Sequence, residues 1–417
     1  MHTNLYLGSG THSAYSQSFR RIFVVLFSCI WSSLSIATTN WDGSVELEQR
    51  YFWEKPPNIE TSHGQSSARL QMEFFKDWNG GKDQIVFEPF LRIDEQDSER
   101  SHIDIRQLIW SHLSDNWEFS AGVGRVFWGV TESKHLVDIV NQTDGVENID
   151  GEDKLGQPML RHQYFSNYGT IETFLLPYFR GRTFAGRNSR LNGGVIVDND
   201  KQNFESNHQK NNIDFAIRYI NTIADWGLGL SWFHGTSREP DLFRSFDNET
   251  LSTIPFYPQI DQFGVDIQFT TGALLVKLEA IQRDFSSASH EDFAATTIGF
   301  EYTIVGVFNS VYDLGILAEY SWDQRGERAT GILQDDLFVG TRIALNDISS
   351  SEILFGLTND LDDSSSMVAF VEASTRIGSS LTANLELHFF DSDDPNDLLF
   401  RFRDHSFVQI GLEYFFD

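Results

Sequence analysis

Charged side chains of both signs recur at every second position within otherwise apolar segments of this 417-residue chain. That spacing gathers them on one face of an extended strand. Arg92, Asp104, Arg106, Glu118, Glu172, Arg180 and Arg218 share the phase, and Glu88, Asp214, Lys277, Glu279, Glu319, Arg342, Glu372 and Arg376 extend it. Around a water-filled passage such a face sets up a field that orients polar solutes. Between neighbouring strands the same charges neutralise one another instead, as Asp104 with Arg92, and pairing is the expectation for most of them. Arg180, Arg182, Arg187 and Arg190 cluster closely enough to attract an anionic solute such as an organic acid. The run Glu147-Asn-Ile-Asp-Gly-Glu-Asp153 is rich in oxygen ligands, but its spacing is not that of an EF-hand loop. It reads as a solvated acidic loop, and no metal or cofactor is expected. His162, His234 and His388 have no nucleophile motif around them, so no catalytic residue is expected either.

The elements that must position these charges are strands. Val45, Leu47 and Tyr51 alternate with Glu46, Glu48 and Arg50, and Leu381, Ala383, Leu385, Leu387 and Phe389 alternate with Asn384, Glu386 and His388. Segments of about ten residues repeat this pattern about eighteen times, the length a tilted strand needs to cross a bilayer. Connection lengths separate a barrel from a soluble sandwich. Short connections (111–116, 220–225, 270–272, 346–351, 377–380) take turns with long ones (52–66, 131–157, 181–211, 235–259, 391–404). That parity is expected of an all-β, transmembrane, antiparallel up-and-down barrel with both termini on the short-turn, periplasmic side and long loops outside. Eighteen strands fit best and sixteen is the alternative.

Arg20-Arg21, the apolar run from Ile22 to Trp31 and Ser35-Ile36-Ala37 make residues 1–37 a secretory signal peptide. Residues 38–417 then form one barrel domain. The single cysteine, Cys29, falls within the signal, leaving the mature chain without a disulfide. A net charge of -29 argues against nucleic acid as a partner. Trp110, Trp117, Trp226, Trp232 and Trp322 sit near segment ends, where aromatic girdles form.

The last strand, with Val408, Ile410, Leu412, Tyr414 and Phe416 on one face, resembles the C-terminal segment by which outer-membrane β-barrels are recognised for assembly. Gly124-Arg125-Val126-Phe127-Trp128-Gly129, followed by Asp138-Ile-Val-Asn-Gln-Thr-Asp144, is similar to a pattern in porin-like outer-membrane proteins of Gram-negative bacteria. There a strand ends in Gly-Arg and Trp-Gly and leads to Asp-x-x-Asn-Pro-x-Asp in a loop; here Gln142 stands in place of the Pro. The resemblance implies a bacterial outer-membrane channel for passive diffusion of small polar or charged solutes, with no enzymatic role. Arg92, Asp104, Arg106, Glu118, Arg125, Glu172, Arg180, Arg182 and Arg218 are then the pore-lining candidates, and Asp138, Asn141 and Asp144 the candidates for a loop that narrows the pore. Packing of Leu136 to Val140 against the barrel rim is the equal alternative. Outer-membrane lipid, lipopolysaccharide and small polar solutes are the expected partners, and a homo-oligomer is an allowed assembly. Two other readings stay open: an adhesin or receptor barrel without conductance, and a barrel-borne hydrolase.

Overall fold

The computed structural model describes residues 40–55, 62–247, 250–362 and 365–417; the signal segment 1–37 lies outside them. Strands run in chain order as β1 (Asn40–Phe52), β2 (Gly64–Trp78), β3 (Asp83–Asp94), β4 (His102–Leu113), β5 (Trp117–Gly124), β6 (Gln157–Ser166) and β7 (Gly169–Leu176). After a two-residue β8 (Asn203–Phe204) come β9 (Asp214–Ile223), β10 (Trp226–Thr236), β11 (Asp241–Asp247), β12 (Thr250–Tyr257), β13 (Gln259–Thr271) and β14 (Leu274–Phe285). The series ends with β15 (Phe293–Ile304), β16 (Asp313–Asp323), β17 (Asp335–Ala344), β18 (Glu352–Asp360), β19 (Met367–Ile377), β20 (Leu381–Asp391) and β21 (Phe407–Phe416).

All but β8, β11 and β12 form one 18-stranded antiparallel sheet that pairs in chain order. It closes on itself where β21 meets β1, with Val45 opposite Tyr414 and Phe52 opposite Phe407. Closure leaves no unpaired edge, which removes the template for aggregation that an open sheet of this size presents. β11 and β12, in the long connection between β10 and β13, form a separate small sheet with β8, which comes from the connection between β7 and β9.

Alternation decides which face each residue takes. Leu47, Ile105, Ile217, Leu230, Ile298, Phe355, Leu385, Ile410 and Leu412 are exposed on the outside, while Glu48, Arg106, Arg218, Glu279 and Glu319 on the other phase are buried. The parity of connections follows the sequence expectation. Turns such as 224–225 and 272–273 hold two residues, whereas 125–156, 177–213, 237–258 and 392–406 are long. At 272–273 the chain reverses through Gly272 at φ +59, a left-handed conformation that glycine adopts without strain. Pro89, which has no N–H to give to a ladder, sits at the bulge between Glu88 and Pro89 where β3 shifts register against β4.

The interior is not an empty tube. Its larger apolar cluster joins Trp128, Leu136, Val137, Ile139 and Val140 of connection 125–156 to inward residues including Met159, Phe174, Leu176, Phe233, Ile260, Ile281 and Phe293. Each fully buried Val, Leu, Ile or Phe here contributes on the order of 1.5–3 kcal/mol. A connection therefore folds inside the barrel and supplies its core.

Candidate functional site

Connection 125–156 leaves β5 at Gly124 and returns at β6, and its two stems are held together by one side chain. Asn141 accepts from Val126 N through Oδ1 (2.9 Å) and donates through Nδ2 to the carbonyls of Gly124 (2.9 Å) and Leu155 (2.8 Å). Asp138 accepts from Trp128 N (3.3 Å) and lies 3.3 Å from Lys154 Nζ, a second tie between the outgoing and returning stems. Burial raises the Asp138 carboxyl above its ordinary pKa, and Lys154 opposes that shift. Arg125, the first residue of the loop, pairs with Glu88 of β3 at 2.6 Å.

From these stems the loop crosses to strands on the far side. In the ring order β16 lies eight strands from β5 in a barrel of eighteen, so the two face each other across the interior. Glu279 of β14 accepts from Val130 N (2.7 Å), Thr131 N (3.0 Å), Thr131 Oγ1 (2.7 Å) and Val137 N (3.2 Å). Glu319 of β16 accepts from Glu132 N (2.8 Å), Ser133 N (2.7 Å) and Ser133 Oγ (2.6 Å). Each wall carboxylate thus satisfies backbone amides that would otherwise be stranded inside the barrel, as charge-assisted bonds do well. Gly129, at φ +146, permits the approach; a Cβ there would lie 2.8 Å from Glu279 Oε1. Arg238 donates to the carbonyl of Val140 and pairs with Asp214 (2.8 Å), pinning the apolar underside.

The second leg runs back along β1 to β4. Asp144 is fully buried, accepting from Thr183 Oγ1 (2.6 Å) with Arg106 Nη1 2.6 Å away. Burial pushes its carboxyl up, but His102, Arg106 and Thr183 outweigh that and hold it below the usual carboxylate range. Arg100 donates to the carbonyls of Val146 and Glu147 and to Glu48 and Asp94, fixing the turn. Ile149 then packs on the second apolar cluster of Phe52, Phe390, Leu399 and Phe407.

What the loop leaves free is its acidic edge. Asp150, Glu152 and Asp153 are exposed to water yet enclosed by the barrel. Enclosure, followed by Glu152, Glu386 and Glu372, raises the Asp150 carboxyl to about 6, and enclosure, Glu147 and Asp150 raise Asp153 to about 6. Glu152 is 3.2 Å from His135, whose imidazole is raised to about 10 because Glu152 and Glu279 outweigh its burial. Glu132, on the outgoing leg, pairs with Arg342 (2.7 Å) and lies 3.7 Å from Lys277, which also faces Glu301. On the wall Arg69 bridges Glu46 (3.1 Å) and Glu413 (3.0 Å). Nine carboxylates, Glu46, Glu132, Asp150, Glu152, Asp153, Glu301, Glu372, Glu386 and Glu413, face four cations, Arg69, His135, Lys277 and Arg342. Nine less four leaves five negative charges uncompensated.

Several charges singled out from the sequence are drawn into interior pairs. Asp104 binds Arg106 (3.1 Å) and Arg180 (2.7 Å), Glu172 binds Arg161 and Gln163, and Arg218 binds Asp266 (2.9 Å). The anticipated Asp104–Arg92 pair does not form. Phe90 stands opposite Asp104, and Arg92 turns the other way to Glu48 (3.2 Å) and Glu147 (2.8 Å), because a long guanidinium reaches a neighbouring strand and the inserted loop more easily than the diagonal position. Glu118 accepts from Ser120 within its own strand. Of the arginine cluster, Arg180 is paired, Arg182 lies over Phe184, and Arg190 is buried against the carbonyls of Glu54 and Asp404. The two anchors Glu279 and Glu319 were legible as charges in phase, but nothing in the local sequence marked them as the loop's partners. Glu386 and Glu413 carried the same signal of alternation but were not among the pore-lining candidates.

His234 lies 3.0 Å from Asp261 and His388 3.7 Å from Glu386. His290, by contrast, joins Ser289 Oγ (3.1 Å) to Asp241 (2.7 Å) on the exposed connection 286–292. Its ring stacks on Phe285 and Phe256, and the Ser289 hydroxyl is shared with Ser287 (2.8 Å), an arrangement that ties this connection to β11 and β12.

No family model matches the chain, and no curated protein matches its sequence. Among solved structures it is similar to OmpT, an outer membrane protein of Vibrio cholerae, in its trimer form (11% identity, 91% of this chain and 99% of that one, TM-score 0.45). It is also similar to a mutant of the Rh. blastica porin (10% identity, 91% and 100% covered, TM-score 0.45). The barrel assignment rests on the closed strand pairing of the chain itself.

Proposed function

We propose that this chain is a bacterial outer-membrane channel for passive diffusion of small polar solutes, with a preference for cations. The observation that carries the proposal is the connection 125–156, which is anchored through Glu279 and Glu319 on the far wall and leaves Asp150, Glu152 and Asp153 exposed. A closed barrel with an apolar exterior suits a bilayer, because closure pairs the strand backbones with one another and leaves no free edge. A loop folded into its lumen narrows the passage, and the acidic edge lowers the energy of a cation there relative to an anion. Outer-membrane lipid and lipopolysaccharide are the proposed surroundings, and the barrel wall is compatible with a homo-oligomer. The buried state of Asp138, Asn141 and Asp144 gives them the role of shaping the loop.

Reconstitution of the folded protein into a planar bilayer tests this. Steady, salt-dependent single-channel steps are expected, and a folded but silent barrel refutes conduction. The second reading, a receptor barrel, is favoured by one feature: β11 carries exposed Leu242 and Phe243 on the small sheet. Silence in the bilayer would select it. We assign no catalysis to Asp241, His290 and Ser289, and loss of an esterase activity in Ser289→Ala would overturn that assignment.

A further inference from the structure

We infer that His102, Asp144 and Glu147 form a binding site for one divalent transition-metal ion of the zinc class, tying connection 125–156 to the barrel wall. The site goes beyond conduction and holds whether or not the barrel conducts. His102 opens β4, and its Nδ1 lies 3.0 Å from the carbonyl of Arg100. A carbonyl only accepts, so Nδ1 carries the hydrogen, and once Nε2 gives up its proton to a metal its lone pair points inward. There Nε2 meets Asp144 Oδ2 at 3.5 Å and Glu147 Oε1 at 3.7 Å. His102 Nε2 and Glu147 Oε1 make no hydrogen bond, and Asp144 Oδ2 has only its ion pair with Arg106 (2.6 Å). Asp144 and Glu147 are 0% and 4% exposed, so water does not relieve them.

Three acceptors converging in an enclosed place repel one another unless a cation lies between them. A proton on Nε2 serves one carboxylate and draws it to about 2.7–2.9 Å, whereas both carboxylate oxygens here stand further off. A zinc ion with bonds of about 2.0–2.1 Å holds tetrahedral ligands roughly 3.4 Å apart. The three donor atoms lie within 4.8 Å of one another, so a small contraction closes them on an ion. One imidazole and two carboxylates suit zinc or its first-row neighbours; calcium asks for six to eight oxygens.

The outer partners of the ligands are already set. Asp144 Oδ1 accepts from Thr183 Oγ1, Glu147 Oε2 pairs with Arg92 Nη2 (2.8 Å), and Arg100 orients His102 through its carbonyl. Such partners fix ligand orientation and raise affinity. Arg106 Nη1, 2.6 Å from Asp144 Oδ2, is a cation already at the site and opposes a metal. Its other carboxylate, Asp104 at 3.1 Å, offsets part of that charge.

The experiment uses the folded, EDTA-stripped full chain, titrated with Zn²⁺ by calorimetry, with bound metal counted by mass spectrometry. One saturable equivalent per chain is expected, with a rise in unfolding temperature that Ca²⁺ does not reproduce. His102→Gln and Glu147→Gln, each close in size to the native residue, are expected to weaken that equivalent by about 100-fold or more, on the scale of losing a ligand rather than an outer partner. Glu118→Gln, away from the site, is expected to leave it unchanged. Absence of a saturable equivalent on the wild-type protein overturns the proposal, as does an equivalent that survives both ligand variants. The wild-type count needs no variant, so a variant that fails to fold does not rescue a negative result.

Discussion

Removing charge from the free edge of connection 125–156 should erode cation preference by an amount set by the structure. Carboxylates outnumber cations by five among the thirteen groups named along this edge and the facing wall. With a mean separation of roughly 8 Å and the dielectric of water, Coulomb's law gives about 2.6 kcal/mol for a monovalent cation before screening. Screening at 0.1 M salt, with a Debye length of about 10 Å, reduces that to about 1.2 kcal/mol. An anion meets the same energy with opposite sign, so the two differ by about 2.3 kcal/mol, a cation-to-anion permeability ratio of about 50. Asp150→Asn, Asp153→Asn and Glu386→Gln together leave two of the five charges, and the ratio should fall to about 5. The assay is the reversal potential across a tenfold KCl gradient in a planar bilayer, at pH 8, above the pKa of about 6 of Asp150 and Asp153. A wild-type ratio near one, a preference for chloride, or a triple variant with unchanged reversal potential would refute the reasoning.

The same edge titrates. Asp150 and Asp153 are both raised to about 6, so they are charged above that pH and neutral below it. Cation preference should therefore weaken between pH 7 and 5, well above the range of an ordinary aspartate, and Asp150→Asn with Asp153→Asn should abolish that step. Asn141→Ala strands Val126 N and two carbonyls in a buried place, costing about 2–4 kcal/mol locally. Limited proteolysis should then cut within 125–156 while the barrel stays folded, and conductance should become noisier. Glu279→Ala removes the acceptor of four hydrogen bonds and should cost about 3–5 kcal/mol, read as a lower unfolding temperature and a larger open current. Leu385→Arg places a charge on the outward apolar face and should cost about 2–4 kcal/mol in folding titrations into lipid, whereas Glu386→Gln, one position on, should cost little.

Period-two alternation is a local property, and it made the barrel readable. Leu385 and Glu386 differ in environment because successive side chains of a strand point to opposite faces, so composition alone separates wall exterior from interior. Strand number, the pairing of Val45 with Tyr414 and the parity of turns and loops follow from the same local rule plus closure. The interior arrangement is of another kind. Glu279 and Thr131 are 148 positions apart and Glu319 and Ser133 are 186 apart, and no periodicity links them. Arg92 is opposite His102 in register, yet its partners are Glu48 and Glu147, because the inserted loop brings a carboxylate within reach that strand pairing alone does not. Asp138, Asn141 and Asp144 stood out as a motif, but the alternatives of lining the passage and shaping the loop differ only in which way the folded chain turns them. Residue order within each segment suffices for strands with one apolar and one charged face. Which interior charges are neutralised, which anchor connection 125–156 and which are left facing water emerges only in the folded barrel, since long-range contacts across it depend on where the loop lands.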